Sequence, residues 1–197
     1  MLQPTDVMDL FKIAGAYLKG HFRLTSGLHS PEYLQCALVL QHPAFAEQLG
    51  ASLAEAIVTQ LGGRQMNLVV SPAMGGLIIG HEVARALGTP HIFTERDPAG
   101  KMTLRRGFQV TPGVKVVVVE DVVTTGGSTR EVIELVRSLG GEPVAACCII
   151  DRSGGKADLS GLKKAALVTM EVVAYEADGC PLCAAGSVAV KPGSRAV

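Results

Sequence analysis

Two adjacent acids, Glu120 and Asp121, stand directly before a small, hydroxyl-rich run, Val122-Val123-Thr124-Thr125-Gly126-Gly127-Ser128-Thr129. Residues 116–119 ahead of them are four valines that read as a buried strand. Val132, Leu135, Val136 and Leu139 behind them keep a helical period. Ser128 with Glu131 three residues on has the pattern of a capping box, and Gly140 can end the helix. Strand, tight turn and helix N-terminus together make an anion site, because free N–H groups and the helix dipole face the turn. The turn has no lysine, so a phosphate would be held by N–H groups and by the hydroxyls of Thr124, Thr125, Ser128 and Thr129. The acids suit sugar hydroxyls or a developing oxocarbenium ion, and a sugar phosphate satisfies both halves. Neither G-x-G-x-x-G nor G-x-x-x-x-G-K-[ST] is present. A merely polar turn after a buried strand would explain the glycines but does not call for paired acids.

Three other groups could do chemistry. Residues 96–106 carry Arg96, Lys101, Arg105 and Arg106 among glycine and proline. They read either as a solvated surface loop or as a mobile lid whose cations meet a leaving diphosphate. Pro72-Ala73-Met74-Gly75-Gly76 can bring backbone N–H groups close to a ligand, or is an ordinary turn. Asp151-Arg152-Ser153-Gly154-Gly155 offers an arginine able to grip a carboxylate, the alternative being a surface ion pair of Asp151. Cys180-Pro181-Leu182-Cys183 has the spacing of half a zinc site, but there is no second cysteine pair and the five histidines are scattered. Free thiols in a C-terminal turn are therefore expected, with a zinc clip at a dimer contact as the alternative.

These residues need elements to position them. Residues 6–19 keep a helical period, 21–41 are irregular or β-rich, and Pro43 opens a helix ending at Gly62-Gly63. Residues 67–71 and 91–95 read as strands, with a helix at 77–87 between them; 116–119, 128–139 and 144–150 read as strand, helix and strand. Apolar strands alternating with helices mean an α/β fold whose parallel sheet is covered on both faces. Ligands bind at the carboxyl ends of such strands, so the loops at 72–76, 96–106, 120–128 and 151–155 should converge on one cleft.

Composition narrows the class. At 197 residues and 48% hydrophobic content, the chain can build one domain with a sizeable core. Lys+Arg and Asp+Glu both number 18, and that balance, with no tryptophan, speaks against nucleic acid as a partner. No apolar run has the length of a membrane span and the N-terminus has no signal pattern, so no membrane association and a cytoplasmic location are expected. Five cysteines, an odd number, fit reduced thiols.

The block from Glu120 to Ser128 resembles the phosphoribosyl diphosphate (PRPP) signature of the type I phosphoribosyltransferases. Residues 20–33 (Gly-His-Phe-Arg-Leu-Thr-Ser-Gly-Leu-His-Ser-Pro-Glu-Tyr) and 151–155 are similar to the orotate-side segments of orotate phosphoribosyltransferases. The resemblance covers most of the first 155 residues. It implies a single domain with a central parallel sheet flanked by helices, a core at 43–164, and a small hood from 1–42 and 165–197. It implies transfer of ribose 5-phosphate from PRPP to orotate, giving orotidine 5-phosphate and diphosphate, in de novo UMP biosynthesis. It implies Mg2+ carried by PRPP rather than by protein ligands, and a homodimer sharing loop 96–106 across subunits. Carried over by position, Glu120 and Asp121 would hold the ribose hydroxyls, and Val122, Val123, Thr124, Thr125, Gly126, Gly127 and Ser128 would wrap the 5-phosphate. Arg96, Lys101 and Arg105 would meet the diphosphate, with Lys101 joining the two acids in catalysis. Thr124, Arg152, Ser26 and Gly27 would contact orotate. Thr25 and Gly75 stand where many family members carry lysine. A purine phosphoribosyltransferase would share the signature without needing residues 20–33. A PRPP-sensing regulator would need a basic nucleic-acid face.

Overall fold

The computed structural model describes residues 1–24 and 26–192; Thr25 and the last five residues of the expected hood lie outside the described residues. The chain runs α1 (Pro4–Ile13), β1 (Tyr17–Arg23), β2 (His29–Leu34), α2 (Cys36–Leu40), α3 (Pro43–Leu61), β3 (Leu68–Pro72), α4 (Gly76–Leu87), β4 (His91–Arg96) and β5 (Met102–Leu104). It continues through β6 (Lys115–Val123), α5 (Gly127–Ser138), β7 (Glu142–Asp151), β8 (Lys164–Thr169) and α6 (Pro181–Ala184). β1 and β2 form a separate antiparallel pair, and the other six strands form one sheet ordered β5-β4-β3-β6-β7-β8.

β6 lies mid-sheet because both of its faces are apolar. Val117 and Val119 pack into the core beneath α1, α3 and α4, whereas Val116 and Val118 pack under α5 with Val132, Ile133 and Val136. All four valines are fully buried, each worth about 1.5–3 kcal/mol of apolar transfer. β7 repeats the alternation, sending Cys147 and Ile149 to one face and Ala146 and Cys148 to the other. Within this six-stranded sheet the pairings β3–β4, β3–β6, β6–β7 and β7–β8 are parallel, and β4–β5 is antiparallel. From β3 the chain winds outward to β4, and from β6 it winds the opposite way to β7. The order therefore reverses between β3 and β6, and a cleft opens there at the strands' carboxyl ends.

Four expectations change. The helix read at 6–19 stops at Ile13, because Gly15 takes a left-handed φ of 62° and the chain turns into β1. Residues 164–169 form a strand of the main sheet, so the core extends past 164 into the segment read as hood. Residues 96–106 are not a structureless lid: Met102, 3% exposed, anchors β5 against β4, and only the turn at 97–101 and the stretch after Leu104 stand free of the sheet. Ser128 does not cap α5; the N-cap is Gly126, two residues earlier, and Ser128 sits in the first helical turn. No helix among the described residues is long and apolar enough to cross a membrane.

Candidate active site

β6 ends in the acid pair. Glu120 is buried and Asp121 half-buried. The Asp121 N–H donates to Glu120 Oε1 at 3.2 Å, and the Val122 N–H donates to Asp121 Oδ1 at 2.8 Å. Burial pushes the Asp121 carboxyl above its usual range, against the pull of these hydrogen bonds. No basic side chain forms an ion pair with Asp121 among the described residues.

The phosphate turn follows from two glycines. Gly126 has φ +77°, and a Cβ there would come within 2.7 Å of Leu159, so both the turn and its packing require glycine. The Gly126 carbonyl accepts the first helical bond, from the Arg130 N–H at 2.9 Å. The N–H groups of Gly127, Ser128 and Thr129 therefore have no helical acceptor and point off the end of α5. Thr124 and Thr125 are exposed at the lip. A small cavity of about 40 Å3 lies here, bounded by Glu120, Val122, Val123, Thr124 and residues 126–129. Arg130, which no pattern in the sequence marks, clips the turn in place by donating to Thr125 O at 2.7 Å and Asp158 O at 2.9 Å.

Across the cleft, the β3–α4 turn carries the cis peptide Ala73–Met74 and then Gly75. A Cβ on Gly75 would stand 2.7 Å from Asp121 Oδ1. A larger residue here would therefore require the Asp121 carboxylate to move.

Arg152 follows β7, its N–H donating to Val123 O at 2.8 Å. Its Nε is buried and has no hydrogen-bond partner. Desolvation lowers the guanidinium's pKa against the opposing pull of Tyr33, Cys36 and Glu32. Tyr33, on β2, feels both Arg152 and Asp121, and burial pushes its phenol up. The N-terminal hairpin thus brings Tyr33 close enough to feel both the carboxylate and the arginine, a placement the residue's type alone does not reveal. Asp151 is fully buried rather than at the surface. It pairs with Lys164, accepts from the Ser153 N–H at 2.8 Å and its hydroxyl at 2.5 Å, and so fixes the turn that aims Arg152. Burial raises the Asp151 pKa, but Lys164 and Ser153 outweigh it and hold the carboxyl below the usual range.

Ser26 and Gly27 form the β1–β2 tip, with Gly27 at φ +91° and its N–H donating to Leu24 O at 3.0 Å. No hydrogen bond joins them to Thr124 or Arg152 among the described residues. The four cations of 96–106 separate into two kinds. Arg96 grips Glu131 of α5 at 2.9 and 3.1 Å, and Arg106 grips Glu95 at 2.9 Å while stacking 5.7 Å from the Phe93 ring centre. Lys101 and Arg105 are exposed and carry no ion pair among the described residues.

Outside the cleft, the histidines that looked scattered do not all stay so. His21 and His29 meet Cys180 and Cys183, with the four ligand atoms within 4.8 Å of one another. The folding of α6 back onto the β1–β2 hairpin brings them together, over a separation no short spacing pattern can signal.

Residues 38–180 match the model of the phosphoribosyl transferase domain. The chain is 53% identical to the orotate phosphoribosyltransferase of Desulforamulus reducens over 192 residues, covering 98% of this chain and 97% of that one. It is 48% identical to the orotate phosphoribosyltransferase of Methylorubrum populi over 196 residues, covering 100% and 98%. Among solved structures, the orotate phosphoribosyltransferase from Aeropyrum pernix superposes with a TM-score of 0.69 at 26% identity, over 83% of this chain and 93% of that one. A PRPP-type turn, an acid pair at the sheet's switch point, an arginine facing them and relatives of this closeness place the chain in the phosphoribosyltransferase family, among the orotate phosphoribosyltransferases.

Proposed function

We propose that the cleft between β3 and β6 transfers ribose 5-phosphate from PRPP to orotate, releasing orotidine 5-phosphate and diphosphate. The observation that carries this is the pairing, across one cleft, of an anion turn with adjacent acids and a half-buried arginine whose Nε has no partner. The 5-phosphate sits on the free N–H groups of α5 and the hydroxyls of the turn. Glu120 and Asp121 face the ribose and stabilise positive charge as the glycosidic bond loosens. Arg152 takes the orotate carboxylate in a charge-assisted, bidentate contact, aligning the ring nitrogen with the anomeric carbon. The nucleophile is substrate nitrogen, so no covalent enzyme intermediate is needed.

Magnesium fits this donor set. Such ions take one or two carboxylates and fill the remaining positions with substrate phosphate oxygens and water, and Asp121 is a carboxylate without a cationic partner beside the phosphate turn. Bound with PRPP, the ion would neutralise charge on the departing diphosphate. Lys101 and Arg105 would complete that task, joined by Arg96 once it releases Glu131. Lys101 and Arg105, exposed and unpaired, favour delivery to the cleft of a second subunit, whereas Arg106 is engaged with Glu95. We infer a homodimer on that basis. The test is spectrophotometric: orotate absorbance should fall only when PRPP and magnesium are both present and stop on adding EDTA. No orotate loss by correctly folded protein rules the reading out.

A further inference from the structure

We propose that His21, His29, Cys180 and Cys183 form a structural zinc site that clasps the C-terminal segment onto the N-terminal hairpin. His21 comes from β1, His29 from β2, Cys180 from the residue preceding α6 and Cys183 from within it. His21 Nε2 lies 2.9 Å from His29 Nδ1 and 3.5 Å from Cys180 Sγ. Cys183 Sγ lies 3.3 Å from His29 Nδ1 and 3.8 Å from His21 Nε2. A tetrahedron with Zn–N near 2.05 Å and Zn–S near 2.3 Å has edges of about 3.3 Å between nitrogens and about 3.6 Å from nitrogen to sulfur. The four separations named match those edges to within about 0.4 Å, and all four ligand atoms lie within 4.8 Å of one another, so binding would draw the remaining pairs inward.

Proton placement supports a metal. His21 Nδ1 lies 3.1 Å from the Ser187 carbonyl, which can only accept, so Nδ1 carries the proton and Nε2 presents its lone pair to the cluster. A ring nitrogen fixed by a backbone carbonyl is the usual outer support of a metal-bound histidine. Without a metal, the His21 Nε2 lone pair would meet a His29 N–H or weak thiol S–H donors, whereas a zinc ion engages all four atoms at once. Two thiolates and two neutral imidazoles balance the ion's charge, as a site with both histidines below 10% exposure requires. The S2N2 donor set selects zinc.

The site also has a mechanical reason. Among the described residues from 171 to 192, Cys180 is the only buried one. That segment is held by backbone bridges to the hairpin, His29 with Tyr175 in both directions at 2.8 Å, Arg23 N–H to Val190 O at 2.8 Å and Val190 N–H to His21 O at 2.9 Å. So little buried apolar surface cannot fasten twenty residues, and a closed metal site can.

The test uses the full chain expressed in zinc-supplemented medium. Elemental analysis should find about one zinc per chain, and the double variant Cys180→Ser/Cys183→Ser should lose it. Because that variant could misfold, cobalt(II) exchanged into the wild type provides a second reading: intense tetrahedral ligand-field bands with thiolate charge transfer are expected. Limited proteolysis should cut residues 171–192 faster after chelation. Wild type without zinc, octahedral cobalt, a Cys180–Cys183 disulfide in the freshly isolated protein, or cleavage indifferent to chelation would each overturn the clasp.

Discussion

Arg152 holds a positive charge that the fold half-desolvates and leaves without a partner at Nε. Such an arrangement costs stability unless a ligand completes it. Arg152→Ala should therefore raise the orotate KM at least ~10-fold, equivalent to about 1.4 kcal/mol, while the PRPP KM stays within about twofold. An unchanged orotate KM would move the carboxylate contact to the Ser26–Gly27 backbone. Asp121→Asn removes one charge facing the ribose and should cut kcat by roughly 10²-fold, or ~3 kcal/mol. Near-normal turnover in folded protein would end its assigned role. Glu120, Asp121 and the turn are readable in the sequence because their chemistry is contiguous. Tyr33, Arg130 and the His21–Cys183 cluster are not, since each acquires its partner only through tertiary folding.

At the scale of elements, α4 crosses β3 and β4 so closely that a Cβ on Gly80 would stand 2.6 Å from His91 Nε2. His91 shares a 2.8 Å hydrogen bond with Ser71 Oγ. Burial, with His81 nearby, lowers the His91 pKa from 6.5 to about 4. The folded pKa is below the unfolded one, so the contribution is fully present above pH ~6.5 and is lost as pH falls toward ~4, with a ceiling of ~3 kcal/mol that solvent screening of the partly exposed ring lowers. His91→Gln, neutral throughout, should show a flatter stability curve between those pH values than the wild type. Parallel denaturant-unfolding curves across that window would show that His91 does not titrate in this way. The strands β3, β4, β6 and β7 were legible because both-face burial writes continuous apolar runs. β5 and β8 were not: β5 carries one buried anchor, Met102, within a charged stretch, and β8 is a short edge strand beginning in lysine.

For the whole molecule, the proposed dimer would have each subunit lend Lys101 and Arg105, both exposed, to the other's cleft. Two inactive variants, Lys101→Ala/Arg105→Ala and Asp121→Asn, should regain about a quarter of wild-type activity after equal mixing and subunit exchange, because half the dimers are hybrids with one intact site. No recovery despite confirmed exchange would place both halves of the site in one subunit. The parallel sheet and the cleft at its switch point were predictable from alternating elements, but the closure of α6 over the hairpin was not, because residues 171–192 bury almost nothing. The central claim is that this cleft recognises a base by its carboxylate. The most direct measurement is the ratio of kcat/KM for orotate to that for uracil in the wild-type protein. The arrangement around Arg152 predicts a ratio of ~10⁴ or more, because uracil would leave the guanidinium unpaired; equal efficiencies on the two bases would contradict it.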